Sequence, residues 1–309
     1  MLDRSTFTGP WAGLPTAWNE TDRFDEATYR RDVRACCQAG APGVYTHGST
    51  GEFYAMEFDE WKAVATACAE ECRAAGTPCM IGCTSTYTLG VVRRVEVARQ
   101  LNAEAVQIAL PYWYEMRDEQ IVPFFKDVMA AGEGLALSIY ETTRAKKVLS
   151  LDQHRAVHDA VPAYLMVKSN AGTVGSSEAG CAALSDFVNV FVGETDWGRL
   201  GPHGAIGSPS SLFYANPRYI LKMWEHLKSR QFEPLNQMCD KLIAYHEKGM
   251  ASLLPGHYHD SSYDRLDGLL AGFLQTSTRN RGPYPSTNQT DIQNMRDWCL
   301  REFPEFLEL

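Results

Sequence analysis

The sequence predicts an α/β protein: a (β/α)8 TIM barrel with a C-terminal helical extension. Three observations predict it. Short β-rich runs alternate with amphipathic helical stretches, which implies parallel strands joined by crossover helices. Eight such runs occur, and eight units over roughly 200 to 250 residues imply closure into a barrel. After the eighth run only helical periodicity, loops and one proline-containing stretch remain.

The expected strands lie at residues 13–18, 43–47, 79–84, 105–110, 135–140, 165–168, 188–193 and 205–208. Amphipathic helices are expected between them, among others at 26–39, 59–75, 89–101 and 119–131. Gly40 and Gly76 follow two of these where a left-handed residue would close a helix. Asn216-Pro217 reads as a helix start, with asparagine as the cap and proline in the first turn. An open doubly wound sheet is the competing architecture. The chain of 309 residues is expected to divide into a barrel domain, 1–230, and a helical extension, 231–309.

A content of 45% hydrophobic and 22% charged residues suits a globular chain with a well-filled core. No apolar run approaches the ~18 to 20 residues of a membrane span. The start, MLDRSTFTGP, carries charges early and no apolar segment, so no secretory signal is read. A net charge of -9 argues against a nucleic-acid partner, because phosphate neutralisation needs a basic face. The densest basic cluster, Arg144 with Lys146 and Lys147, is small and reads as a solvated loop. Nine cysteines without a C-x2-C pair fit a reduced compartment, which predicts a cytoplasmic location. Cys68 and Cys72 share a helical stripe with Trp61, Val64 and Ala65 and read as small core residues.

Barrel enzymes place their chemistry at the C-terminal ends of strands. The second strand ends in His47-Gly48-Ser49-Thr50-Gly51-Glu52. Two glycines flanking two hydroxyls make a tight loop that exposes backbone N–H and side-chain O–H groups. Such a loop can hold a small carboxylate without a full positive charge, and it can equally be a turn and no more. The fifth strand ends at Tyr140 and the sixth at Lys168, which closes the apolar run Tyr164-Leu165-Met166-Val167. A buried lysine is costly unless paired or functional. Burial would lower its pKa and supply a neutral, nucleophilic amine. Taken alone, a strand-end lysine reaching out to solvent is an equal reading.

The loop GSTGE, Tyr140, Lys168 and the segment Gly193…Gly204-Ala205-Ile206 occur in order at predicted strand ends. In this the sequence resembles the N-acetylneuraminate lyase and dihydrodipicolinate synthase superfamily of class I, Schiff-base aldolases. The resemblance runs from Pro15-Thr16 to at least Pro217. It implies that Lys168 condenses with the keto carbon of pyruvate or a related 2-keto acid and that Tyr140 shuttles protons. It further implies that Ser49 and Thr50 grip the carboxylate and that Gly193 and Ile206 line the keto-acid pocket. The protonated imine is an electron sink, so a carbanion beside it can form or be quenched at neutral pH.

The half of the site that selects the second substrate departs from the family. Trp113, within Pro111-Tyr112-Trp113-Tyr114, stands where the synthases place a tyrosine of a proton relay between subunits, and indole cannot relay a proton in that way. Tyr140-Glu141-Thr142-Thr143 replaces the usual Tyr-Asn-x-Pro. Ala145 falls where the synthases carry an arginine, with Arg144 one position earlier. Glu194-Thr195-Asp196-Trp197 is acidic but ordered differently from the sialate lyases. The expected substrate is therefore a 2-keto-3-deoxy sugar acid or related hydroxy keto acid, cleaved, condensed or dehydrated, with Trp113, Trp197 and Glu141 shaping that end of the pocket. Condensation of pyruvate with an aldehyde, as in the synthases, is the alternative.

Two other classes compete. A metal-dependent barrel lyase or hydrolase would need His, Asp and Glu ligands at strand ends. His47 and His203 lie near strand ends, whereas His257 and His259 are expected far from the mouth, in the extension. A non-catalytic keto-acid sensor is the other. No cofactor, metal ion, nucleic acid or membrane is expected as a partner. The resemblance implies a homo-oligomer, a tetramer or dimer, with Tyr112, Trp113 and Tyr114 suited to a contact.

Overall fold

The computed structural model describes residues 2–309. Eight parallel strands close a barrel in chain order: β1 (Gly9–Gly13), β2 (Gly43–Thr46), β3 (Cys79–Gly82), β4 (Ala105–Ile108), β5 (Ala136–Glu141), β6 (Tyr164–Ser169), β7 (Asn189–Phe191) and β8 (Ala205–Ser210). β1 pairs with both β2 and β8, which closes the ring. Helices α1 (Glu26–Gln38), α2 (Phe58–Ala75), α3 (Thr88–Gln100), α4 (Asp118–Ala130), α5 (Leu151–Ala160), α6 (Glu178–Ser185), α7 (Trp197–Leu200) and α8 (Pro217–Lys228) follow the strands. Then come α9 (Phe232–Ala244), α10 (Asp260–Leu270) and α11 (Gln289–Glu302).

Local chemistry explains the boundaries. Gly40 and Gly76 adopt φ of 85° and 69°, the left-handed turn-off that closes α1 and α2. Asn216 caps α8 by accepting from Tyr219 N–H at 2.9 Å, with Pro217 in the first turn. The first strand differs from expectation. It lies at Gly9–Gly13 rather than 13–18, because Pro15 has no N–H for a ladder and the chain turns over the mouth there. Thr16 then donates to Gly51 O at 2.9 Å, which ties this turn to the loop after β2.

Alternation along the strands sorts the core into two parts. Trp11, Tyr45, Met80, Ala105, Ala136, Met166 and Phe191 pack with Leu2 and Phe7 as the barrel's interior fill. Val44, Ile81, Val106, Leu137, Ile139 and Val167 point the other way and pack in the larger apolar layer that also takes in the helices. Tyr140 lies four residues beyond Ala136, and Lys168 two beyond Met166. Both therefore face inward, above the apolar fill, at the mouth.

The C-terminal helices are part of that mouth. Asp260, Asp264 and Asp267, spaced four and three apart, share one face of α10. Arg265 of α10 is fully buried and its guanidinium bonds Thr16 O at 2.6 Å and the carboxylate of Glu52. Among the described residues, no helix is long and apolar enough to cross a membrane.

Candidate active site

The strand ends converge on a cavity of about 250 Å³ whose walls include Lys168, Tyr140, Ser49, Thr50, Gly193 and Asp264. Lys168 is 9% exposed, and its Nζ lies 4.1 Å from the centroid of the Tyr140 ring and 5.8 Å from that of Tyr45. The Tyr140 hydroxyl accepts from Asn170 Nδ2 at 3.3 Å and stands 3.5 Å from Ser49 Oγ. Arg144 approaches both hydroxyls at 3.5 Å while it forms an ion pair with Asp260 at 2.8 Å.

The charge on the lysine differs from expectation. Burial pushes the Lys168 ammonium down, but the phenol oxygens of Tyr140 and Tyr45 outweigh it, and the net direction is up. Burial pushes Tyr140 up, and the adjacent ammonium, the Ser49 hydroxyl and Arg144 together more than reverse this, so Tyr140 lies below the ordinary phenol range. Burial alone would leave a neutral amine; two facing phenols and the Asp260 carboxylate instead leave a cation beside a phenol that ionises more readily than usual.

The loop after β2 is built from both sides. A Cβ on Gly51 would sit 2.8 Å from His47 N, so only glycine lets the loop fold back on itself. Thr50 Oγ1 donates to the Asp264 carboxylate, and burial raises that carboxyl to about 7. Glu52, the last residue of GSTGE, turns from the cavity and is clamped. Its carboxylate takes Trp18 Nε1 at 2.7 Å, Arg281 N–H at 2.9 Å and the Arg265 guanidinium.

A second chamber of about 330 Å³ opens outward from Ser49 and Tyr140. Phe53, Tyr54, Tyr112, Tyr284 and His259 line it. Their rings meet edge to face, Phe53–Tyr112 at 6.2 Å, Tyr54–Tyr284 at 5.0 Å and His259–Tyr284 at 5.2 Å between centroids.

A family model described as the dihydrodipicolinate synthetase family matches residues 6–254. The chain belongs to that family. Among its relatives, an N-acetylneuraminate lyase of Escherichia coli is 26% identical over 240 residues, 76% of this chain and 80% of the relative. A protein of Acinetobacter baumannii described as "Probable 5-dehydro-4-deoxyglucarate dehydratase" is 21% identical over 227 residues, 72% of this chain and 73% of its own. The sialic acid aldolase of Ruminococcus gnavus, in its catalytic-lysine mutant form, superposes with a TM-score of 0.86 over 99% of this chain and 100% of its own, at 15% identity. That likeness is one of fold. Membership of the dihydrodipicolinate synthetase family makes the chain an enzyme of the aldolase or dehydratase type.

Within this family barrel, Lys168, Tyr140, Ser49, Thr50 and Gly193 come together. Four other expected residues do not join them. Glu141 follows Tyr140 in the strand and so faces outward: it is 2% exposed, accepts from Leu149 N–H at 3.1 Å and lies 3.8 Å from His154 Nε2. Ile206 is the second residue of β8 and packs on the interior fill, a layer below the cavity, while Pro209 and Ser211 reach the wall. Trp113 is 67% exposed and its neighbour Tyr112 lines the chamber instead. Trp197 is fully buried and donates to Gly207 O at 3.1 Å.

Several mouth residues escaped the sequence. His259, expected far away, lines the outer chamber beside Asp260, because α10 crosses the mouth. Asp260 and Asp264 carried one signal, acids at helical spacing within a stretch that also holds the buried Leu266 and Leu270. His47 is buried and packs against Trp61 with ring centroids 4.8 Å apart and planes tilted by 34°, and burial drives its pKa down to about 3. Among the described residues, no set of His, Asp and Glu at the mouth brings ligand atoms close enough to share an ion.

Proposed function

We propose that this enzyme is a class I lyase that forms a Schiff base between Lys168 and pyruvate or a related 2-keto acid. The observation that carries the reading is the pairing of Lys168 with Tyr140 in one cavity with the Ser49-Thr50 loop. Tyr140 in its phenolate form, which its lowered pKa favours, accepts a proton from the Lys168 ammonium and frees the amine to add to the keto carbon. The added nitrogen passes one proton to the new alkoxide and the Tyr140 hydroxyl returns the other, so the oxygen leaves as water and the iminium remains. Ser49 Oγ and the loop's backbone N–H groups hold the carboxylate, with Thr50 Oγ1 anchored on Asp264. The iminium then stabilises a carbanion at the neighbouring carbon, whether that carbon loses an aldehyde, gains one or expels a hydroxyl.

The outer chamber bears on the second substrate. Arg144 is committed to Asp260, and the walls offer ring faces and edges more than hydrogen-bond donors. This favours a partner that lays a planar or apolar face in the chamber over a chain of free hydroxyls. The sugar acid expected from the sequence remains the comparison substrate.

Borohydride reduction in the presence of pyruvate tests the nucleophile. The expected result is a single covalent adduct on Lys168 by mass spectrometry, absent from Lys168→Ala. An adduct on another lysine, or full turnover by the alanine variant, refutes the mechanism. Pyruvate release from a matched panel of arylidene and 2-keto-3-deoxy acids then ranks the partners; faster release from the sugar acids refutes the chamber reading alone.

A further inference from the structure

Four of the nine cysteines gather at the foot of the barrel, at the end of the strands opposite the active site. Cys68 and Cys72 are one turn apart on the inner face of α2, and Cys79 is the first residue of β3. Met80 belongs to the interior fill, so alternation turns Cys79 outward onto α2. The sulfurs of Cys68, Cys72 and Cys79 all lie within 4.8 Å of one another, and Cys79 Sγ is 3.9 Å from Cys68 Sγ. Cys37, near the end of α1, sets its thiol against that of Cys72. All four are buried.

We propose that Cys68, Cys72 and Cys79, with Cys37 as the fourth ligand, form a tetrahedral thiolate site for a zinc ion that fastens α1 and α2 to the start of β3. A tetrahedral zinc with sulfur at about 2.3 Å places its ligands roughly 3.8 Å apart, so Cys68, Cys72 and Cys79 need a contraction of at most about 1 Å, while Cys37, set against Cys72, lies outside that mutual 4.8 Å spacing and has to swing further in. The elements that carry the ligands are fixed by packing, so the ion meets a set already gathered. Binding is balanced by loss of one proton from each of the four thiols, so affinity falls as pH falls. Oxygen-loving ions find no carboxylate or imidazole among these ligands, which leaves a soft-ligand ion as the match. The site lies apart from Lys168 and holds whether or not the Schiff-base reading does.

The test uses the full chain, reduced and stripped by chelator, then given zinc or cadmium. The expected result is one equivalent retained through gel filtration, a cadmium–thiolate absorption band and a raised Tm. Metal should also shield Cys37, Cys68, Cys72 and Cys79 from alkylation, read by mass spectrometry on the wild-type protein. Cys72→Ala should lose the retained metal, while Cys83→Ala, which removes a buried thiol outside the cluster, should keep it. If Cys72→Ala does not fold, the alkylation pattern decides. Metal that is not retained, metal that leaves these four thiols reactive, or a Cys68–Cys79 disulfide in the isolated protein overturns the proposal.

Discussion

Lys168 and Tyr140 act as one titrating pair. The phenol oxygen keeps the amine charged, and the ammonium makes the phenol a readier acid, so neither side chain has its own ordinary pKa. Tyr140→Phe keeps the ring and removes the oxygen. Burial then acts on Lys168 against the Tyr45 phenol and the Asp260 carboxylate only, and the lysine pKa should move down. The amine would become available at lower pH yet lack its proton shuttle. The expected outcome is a downward shift in the pH midpoint of imine trapping, with turnover reduced roughly 100- to 10,000-fold. A pH–rate profile of borohydride trapping beside steady-state kinetics checks both. The identity of the pair was legible from the sequence, through the order and spacing of strand-end residues. Its charge was not, because the direction of a pKa depends on which groups face a buried amine.

At the scale of elements, one helix governs the active-site loop. α10 places Asp264 on Thr50 and Arg265 on Glu52, so the GSTGE loop is held from outside the barrel. Glu52 and Arg265 are both fully buried. Removing one partner of a buried pair strands the other charge, at a cost of about 3–5 kcal/mol. Glu52→Gln should therefore lower stability by roughly that amount. Urea unfolding would show a lower midpoint at unchanged slope, and pyruvate affinity should fall as the loop loosens. Substituting both residues with apolar side chains of similar volume should recover part of the stability. Glu52 stood in the sequence as part of a ligand loop; two of its partners, Arg265 and Arg281, lie more than 200 residues away, beyond any local pattern. The outward turn of Glu141 is a different case, since period-two alternation from Tyr140 already contained it.

For the whole molecule, the helices after α8 complete the mouth. Asp260, Asp264 and His259 line its two chambers, and Tyr284 closes the outer one. A chain ended at residue 230 would leave Glu52 without its guanidinium and strip the apolar partners of α9 to α11 from the barrel. It should lose cooperative unfolding and imine trapping together, by circular dichroism melts and by mass spectrometry after borohydride. A truncated chain that melts cooperatively and still traps pyruvate would make the extension a true separate domain.

The sequence by itself determined the barrel and its strand count, and it singled out the mouth lysine proposed as the nucleophile. Those rest on short-range regularities: alternating β and α periodicity, glycine closures, and chemistry-bearing residues at the ends of strands. It also carried four of the residues that meet around the lysine. Only the tertiary structure decided which neighbours make Lys168 a cation, that Ile206 lies a layer too deep, and that Trp113 and Trp197 serve the surface and the core. It alone brought His259 and α10 across the mouth. The physical reason is separation along the chain. Strand periodicity fixes which way a residue points, whereas burial, charge and chamber shape depend on groups that only closure of the barrel brings together.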